Sequence, residues 1–304
     1  MAGGALARAV SRAGAFGMVG VGGWHHSDSD IMDRELPLVH GEKFGIGLIT
    51  WALANRPHLL AEAIERSPTA IMFSFGSPAP YLSKVRDAGI LSICQVQTVR
   101  MAREALDQGA DIIVAQGAEA GGHGGSRSTF PLVPAIADAV ARENSDSIVV
   151  AAGGIADGRG LAAALMLGAE GVLMGTRFAA ALECRIDAFT QSIMVSADGD
   201  ETLRSNVFDV IREANWPKEF TGRAVANGMS HQWERCQEKL ERDEAAKERF
   251  RQAFEKRDRE YWTVWAGEAL DLIHSIPSAA SIVENTIREA EATIAERCRA
   301  IERL

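Results

Sequence analysis

Cysteine is scarce and scattered, with four in 304 residues at positions 94, 184, 236 and 298 and no C-x-x-C pair among them. Neither a disulfide framework nor a cysteine-built zinc site suits that spacing, so the thiols read as free groups in a reducing compartment. Positive charge is in deficit: 32 Lys and Arg stand against 41 Asp and Glu, a net charge of -9. Such a surface repels phosphate backbones and anionic headgroups, which argues against nucleic acid and membrane partners. No stretch approaches the roughly 18 uninterrupted apolar residues that span a bilayer. The opening Met-Ala-Gly-Gly-Ala-Leu-Ala-Arg-Ala-Val also lacks the ordered regions of a signal peptide. These absences together describe a soluble, cytoplasmic protein.

What is present is length and hydrophobicity enough for a large core, with 47% hydrophobic residues. A single barrel domain of about 250 residues plus an appendage is of this size. Short apolar runs recur at Phe16-Val21, Phe44-Thr50, Ala70-Gly76, Ile90-Val96, Asp111-Gly117, Ser147-Gly153 and Gly171-Phe178. Their Val/Ile/Leu content suits parallel strands covered on both faces. Between them lie amphipathic stretches at Leu6-Ala13, Pro57-Arg66, Pro80-Ala88, Thr98-Gln108, Leu132-Glu143 and Arg159-Leu167, most ending at a glycine such as Gly89, Gly109 or Gly168. The alternation predicts an α/β fold, a (β/α)8 TIM-type barrel. Its first element is a helix and its strands number seven, so the first of eight strands is expected to be encoded upstream of Met1. An open, doubly wound sheet is the alternative.

After Phe178 the pattern changes. Asp198-Trp216 reads as irregular, and Gln232-Glu260 as a charged helix with Phe250, Ala253, Phe254, Arg257 and Tyr261 along one docking face. Tyr261-Ile273 and Ser281-Leu304 read as further helices separated by Pro277. The expected organisation is a barrel over residues 1–196 and a mostly helical extension over 197–304.

Two constellations carry chemistry. In barrels a phosphate commonly sits between the loops after strands seven and eight, where glycine lets backbone N–H groups approach the anion. With the absent strand counted first, Gly153 and Gly154 close strand seven, and Gly175 and Thr176 close strand eight. The bland alternative is that these glycines only make tight turns. The second constellation is Gln116-Gly-Ala-Glu-Ala-Gly-Gly122-His123-Gly-Gly125, leaving the end of the sixth counted strand, where barrel active sites lie. Glycine around His123 leaves backbone room for a planar ring system, and an imidazole suits proton transfer near neutrality. An isolated loop histidine is more often inert; the strand end and the glycine run argue for chemistry here. The loop Trp24-His25-His26-Ser-Asp28-Ser-Asp30 has metal-ligand residue types but no spacing that fixes a coordination geometry, so no metal is expected. Gly20, Gly22 and Gly23 resemble part of a dinucleotide fingerprint, but no clear helix follows.

The segments Ala-Gln116-Gly-Ala-Glu-Ala-Gly-Gly-His123-Gly-Gly, Val-Val-Ala-Ala-Gly153-Gly154-Ile-Ala-Asp-Gly and Gly-Val-Leu-Met-Gly175-Thr176-Arg-Phe, as a set, resemble the nitronate monooxygenase family, formerly called 2-nitropropane dioxygenases. The likeness runs from about Gly3 to Phe178, is fainter through Val207-Phe208-Asp209 and Trp216-Pro217, and resumes at Val264-Ile273. It implies an FMN-binding barrel with His123 at the place of the catalytic histidine and Gly153, Gly154, Gly175 and Thr176 around the phosphate. It also implies Gln95 and Gln116 near the flavin ring, and Gly122 packed beside it. The family's opening strand with its Ala-Pro-Met-like turn has no counterpart here, and Gly47 stands where some members carry Asn. The implied reaction is oxidation of an alkyl nitronate or nitroalkane by O2 to a carbonyl compound and nitrite, in a protein that a homodimer would suit. Two rival readings are an NAD(P)H-dependent FMN reductase of quinones or enoyl thioesters, and a flavin-less pseudoenzyme.

Overall fold

Glycine junctions cut the chain into short apolar runs, and in the computed structural model each run becomes a strand. Residues 2–22, 28–143 and 145–302 are described. The strands are β1 (Gly17–Val21), β2 (Phe44–Ile49), β3 (Ala70–Ser74), β4 (Leu91–Val96), β5 (Ile112–Gln116), β6 (Gly122–Gly124), β7 (Ile148–Ala152), β8 (Gly171–Leu173), β9 (Thr202–Ser205) and β10 (Thr221–Val225). Seven of them form one curled parallel sheet in the order β1-β2-β3-β4-β5-β7-β8. Helices Gly4–Arg12, His58–Glu65, Ala79–Asp87, Val99–Asp107, Thr129–Arg142 and Gly158–Met166 alternate with these strands. Thr98 caps the Val99 helix by accepting from the Met101 N–H, and Asp157 caps the Gly158 helix by accepting from Arg159 and Gly160. Gly109, at φ +75°, ends the first of these in the left-handed conformation that glycine adopts without strain.

The side chains sort by the period of two that a pleated strand imposes. Ile46, Leu48, Ile71, Phe73, Ile113 and Val149 pack outward into the helix layer as the main core. Ala70, Ile93, Val114 and Ala152, with Met18, Met72, Ile112, Val150 and Leu173, form a separate cluster in the bore. The fold is therefore the expected TIM-type barrel, open by one strand. Among the described residues β1 and β8 have no partner on their outer edges, except that the Gly20 N–H donates to the Ala2 carbonyl at 2.9 Å. The seam between those edges is apolar, lined by Leu6, Val10, Phe16, Leu161 and Phe178.

The remaining segments depart from the expected layout. β8 stops at Leu173, and the residues expected to extend it to Phe178 instead turn at Gly175 into helix Thr176–Ala179. Asp198-Trp216 is ordered, holding β9 and helix Val207–Ile211. The charged stretch breaks into Gly228–Trp233, Gln237–Leu240 and Glu244–Glu255. Tyr261-Ile273 is extended and then a 3-10 turn, Glu268–Leu272, because the Val225 N–H donates to the Val264 carbonyl and Trp265 bridges Ala224. Tertiary pairing has overridden an apolar spacing that suits a helix. The last helix, Ala279–Ile301, lies on the Gly158 helix so closely that a Cβ on Gly158 would come within 2.3 Å of the Ala290 nitrogen. All four cysteines are free, and burial, helped by Asp111, pushes the Cys94 thiol up to about 12.

The extension is stitched to the barrel by β6, β10 and β9, which form an antiparallel three-stranded sheet in that order. Arg204 of β9 reaches across this sheet into the loop after β5. It donates to the carbonyls of Ala118 at 3.0 Å, Ala120 at 2.5 Å and Thr221 at 2.6 Å. Burial, and then the neighbouring Arg223, lowers its guanidinium to about 10, so it stays charged at neutral pH. Replacing Arg204 with Met would remove this donor from the Ala120 and Thr221 carbonyls and leave Ala118 with Arg223 alone. With charge-assisted hydrogen bonds at roughly 1.5–3 kcal/mol each, partly made good by water, the expected loss is about 3–5 kcal/mol. A lowered urea midpoint with faster amide exchange over residues 118–124 checks this; an unchanged midpoint contradicts it.

Candidate active site

The loop after β5 is built for rigidity. The Gly117 N–H donates to the Ala152 carbonyl at 2.8 Å, holding the loop against the end of β7. Glu119 turns inward, and its carboxylate accepts from the Thr129 N–H at 2.9 Å and the Thr129 hydroxyl at 2.8 Å. Thr129 begins a helix, so the carboxylate also sits at the positive end of that helix's dipole. Arg223 adds a donation to the Ala118 carbonyl at 3.0 Å and an ion pair with Glu268 at 2.7 Å. From this frame β6 runs antiparallel to β10, with His123 opposite Gly222.

His123 is nearly enclosed. Its Nε2 lies 2.9 and 3.0 Å from the two carboxylate oxygens of Asp209, on helix Val207–Ile211. The indole of Trp216 stacks on the imidazole with 3.4 Å between centroids and 6° between planes. Trp265 stands 5.1 Å away and Phe75 6.3 Å away. Phe75 has φ +66° at the end of β3, a conformation that costs a bulky residue of order 1–3 kcal/mol and that clusters at functional sites. Its ring meets Trp216 and Phe220 edge-on, which helps hold it there.

The two expected glutamines are buried and engaged. Gln95 accepts from the Ser74 hydroxyl at 3.2 Å. Gln116 accepts from Gln97 at 2.8 Å and donates to the His123 carbonyl at 3.0 Å, so it fixes the backbone of the histidine. Gly153 and Gly154 take φ +103° and +71°. A Cβ on Gly153 would fall 2.9 Å from the Thr129 hydroxyl and 3.0 Å from the Gly117 carbonyl, so this turn is pressed against the loop. Gly175 and Gly122 are different, because a Cβ on either would meet nothing within 4 Å. Thr176 accepts from the Gly267 N–H at 3.0 Å and begins a short helix with no side-chain cap.

A cavity of about 630 Å3 runs from Gly121, Gly122, Gly175, Thr176 and Trp265 into the bore at Met18, Met72 and Ile93, and is continuous with the open seam at Leu6, Val10 and Phe16. Of the expected site residues, Gly122, Gly175 and Thr176 line it. Gln95, Gln116, His123, Gly153 and Gly154 lie outside its wall. Sequence reasoning missed Asp209, Trp216, Trp265 and Arg204; Asp209 is 86 positions from His123, and no local spacing joins them. Among the described residues no group of three or more His, Cys, Asp or Glu is placed to hold a metal. Trp24, His25 and His26, from the sequence segment with metal-ligand residue types, lie outside the described residues. Among the described residues no helix is long and apolar enough to cross a membrane.

The family described as Nitronate monooxygenase matches residues 54–289. A nitronate monooxygenase of Neurospora crassa is 32% identical over 97% of this chain and 87% of that protein. One of Paraburkholderia phytofirmans is 31% identical over 84% of this chain and 71% of that protein. Among solved structures, FabK from Thermotoga maritima superposes with a TM-score of 0.80 at 28% identity, covering 99% of this chain and 92% of its own. Nitroalkane oxidase from Streptomyces ansochromogenes gives a TM-score of 0.77 at 23% identity, covering 97% and 95%, and bears on the fold alone. With most of its length matched by the family and a relative aligned almost end to end, this chain belongs to the nitronate monooxygenase family of oxidoreductases.

Proposed function

We propose that this protein binds FMN and oxidises alkyl nitronates, or the nitroalkanes that give rise to them, with O2, yielding a carbonyl compound and nitrite. The observation that carries the reading is His123, locked among aromatic rings in the middle of β6, with its neighbour Gly122 on the wall of an apolar cavity that two open glycine positions border. The cavity fits the group. Gly122 leaves the space beside a planar ring that a larger residue would fill, and Gly175 leaves the same at the cavity rim. The turns at Gly153-Gly154 and Gly175-Thr176 are proposed to hold the phosphate through backbone N–H groups, and Gln95 and Gln116 to face the ring's polar edge. The bound flavin supplies the electron chemistry with O2.

The chain's own residues handle binding and protons. Trp216, Trp265, Phe75 and Phe220 exclude water around the imidazole, which favours a small alkyl substrate over a charged polymer. His123 takes the α-proton of a neutral nitroalkane, or orients the nitro group when the nitronate is already formed. A small-molecule partner agrees with the net charge of -9, and a cytoplasmic setting with four free cysteines.

Two measurements test this reading. His123→Ala is expected to slow turnover of neutral nitroalkane by roughly 10²–10⁴-fold, the range for loss of a general base, and to slow turnover of the pre-ionised nitronate much less. Equal losses on both substrates contradict the base assignment. Gly175→Asp places a Cβ where no protein atom lies within 4 Å and a carboxylate beyond it, so the variant is expected to fold normally, by circular dichroism, yet carry little flavin, by absorbance. Normal flavin content would place the phosphate elsewhere.

A further inference from the structure

Proton transfer at His123 needs one ring nitrogen with a free lone pair, and which nitrogen that is depends on what the other one touches. A carboxylate that carries no proton only accepts hydrogen bonds. The Asp209 side chain is 6% exposed and stands on the helix Val207–Ile211. Both of its oxygens lie within 3.0 Å of His123 Nε2. The proton must then sit on Nε2. Nδ1 makes no hydrogen bond to any described residue and is not among the side-chain atoms sealed from solvent without a partner. Trp216, parallel to the ring at 3.4 Å, prevents the imidazole from turning over to exchange its two nitrogens.

We propose that Asp209 is a positioning residue that holds His123 in the Nε2–H tautomer, so that Nδ1 is the base, with Trp216 fixing the plane of the ring. The inference rests on the nitroalkane reading above. In the step it serves, the substrate's α C–H bond breaks and its electron pair forms the C=N bond of the nitronate, with the negative charge on the nitro oxygens. The proton goes to Nδ1, and the resulting imidazolium faces the Asp209 carboxylate in a site where water is scarce and the attraction is strong. Asp209 also ties its helix to β6, and a purely structural tie would show the same distances. What separates the two roles is the identity of the protonated nitrogen and the kind of substrate affected.

Asp209→Asn preserves shape and one acceptor while removing the obligation on Nε2 to donate. Supporting residues of this kind typically change activity 10- to 100-fold, and a fall of about that size is expected in kcat on neutral nitroalkane, with KM and turnover of the pre-formed nitronate little changed. Nitrogen-15 NMR of the ring-labelled protein, with or without flavin, is expected to show Nε2 protonated and Nδ1 bare in the wild type, and a mixture of tautomers in the variant. A wild-type ring protonated on Nδ1 overturns the proposal. So does an Asp209→Asn enzyme whose losses on nitroalkane and nitronate are equal. A wild-type protein that turns over neither substrate overturns the nitronate reading and the base role with it, and the NMR result separates that failure from an error about Asp209.

Discussion

The geometry of this site depends on a half-buried cation satisfying backbone carbonyls. The loop after β5 is glycine-rich, and glycine gives backbone freedom at an entropic cost that would leave such a loop mobile. Arg204 counteracts that by binding the carbonyls of Ala118 and Ala120 together with that of Thr221 on β10, and Arg223 binds Ala118 a second time. A guanidinium presents its donors in a rigid fork, which a lysine cannot do, so one side chain fixes several directions at once. The same loop needs glycine where it does because Gly121 packs against Ala266 and Gly153 against Gly117, leaving no room for a Cβ. Rigidity is thus imported from the extension, and the position of His123 is set jointly by both parts of the chain.

That joint origin explains the site's two sides. The barrel contributes an apolar bore and the glycines on the cavity wall. The extension contributes Asp209, Trp216 and Trp265, which enclose the imidazole. His123 stands on β6, the strand that pairs with the extension, and so belongs to both. A nitronate monooxygenase of Neurospora crassa aligns along 97% of the chain, extension included.

Much of the barrel was legible because parallel strands buried on both faces concentrate Val and Ile, and because helices here end at glycine. The turn at Gly153-Gly154 was legible as glycine because both residues take positive φ, and the turn at Gly175 because β8 ends there in a short helix. The end of β8 was misread because Met174 and Phe178 are apolar for their packing beside Leu6 and Ala181, not for a place in the sheet. Tyr261-Ile273 was misread because Val264, Ala266, Ala269 and Leu270 keep a helical spacing while pairing with β10 extends the backbone. Asp209, Trp216 and Arg204 were invisible as site residues, since their roles come from contacts with chain 80 or more positions away, such as the 86 that separate Asp209 from His123.

The central claim is that the bound flavin is reduced by the nitroalkyl substrate and not by a nicotinamide. An anaerobic absorbance spectrum of the purified flavin-loaded protein, mixed in one cell with an alkyl nitronate and in another with NADH, tests it directly. Loss of the oxidised-flavin band with the nitronate, and its persistence with NADH, is the predicted result. Rapid bleaching by NADH with no response to the nitronate would contradict the account and identify a nicotinamide-dependent reductase on the same barrel.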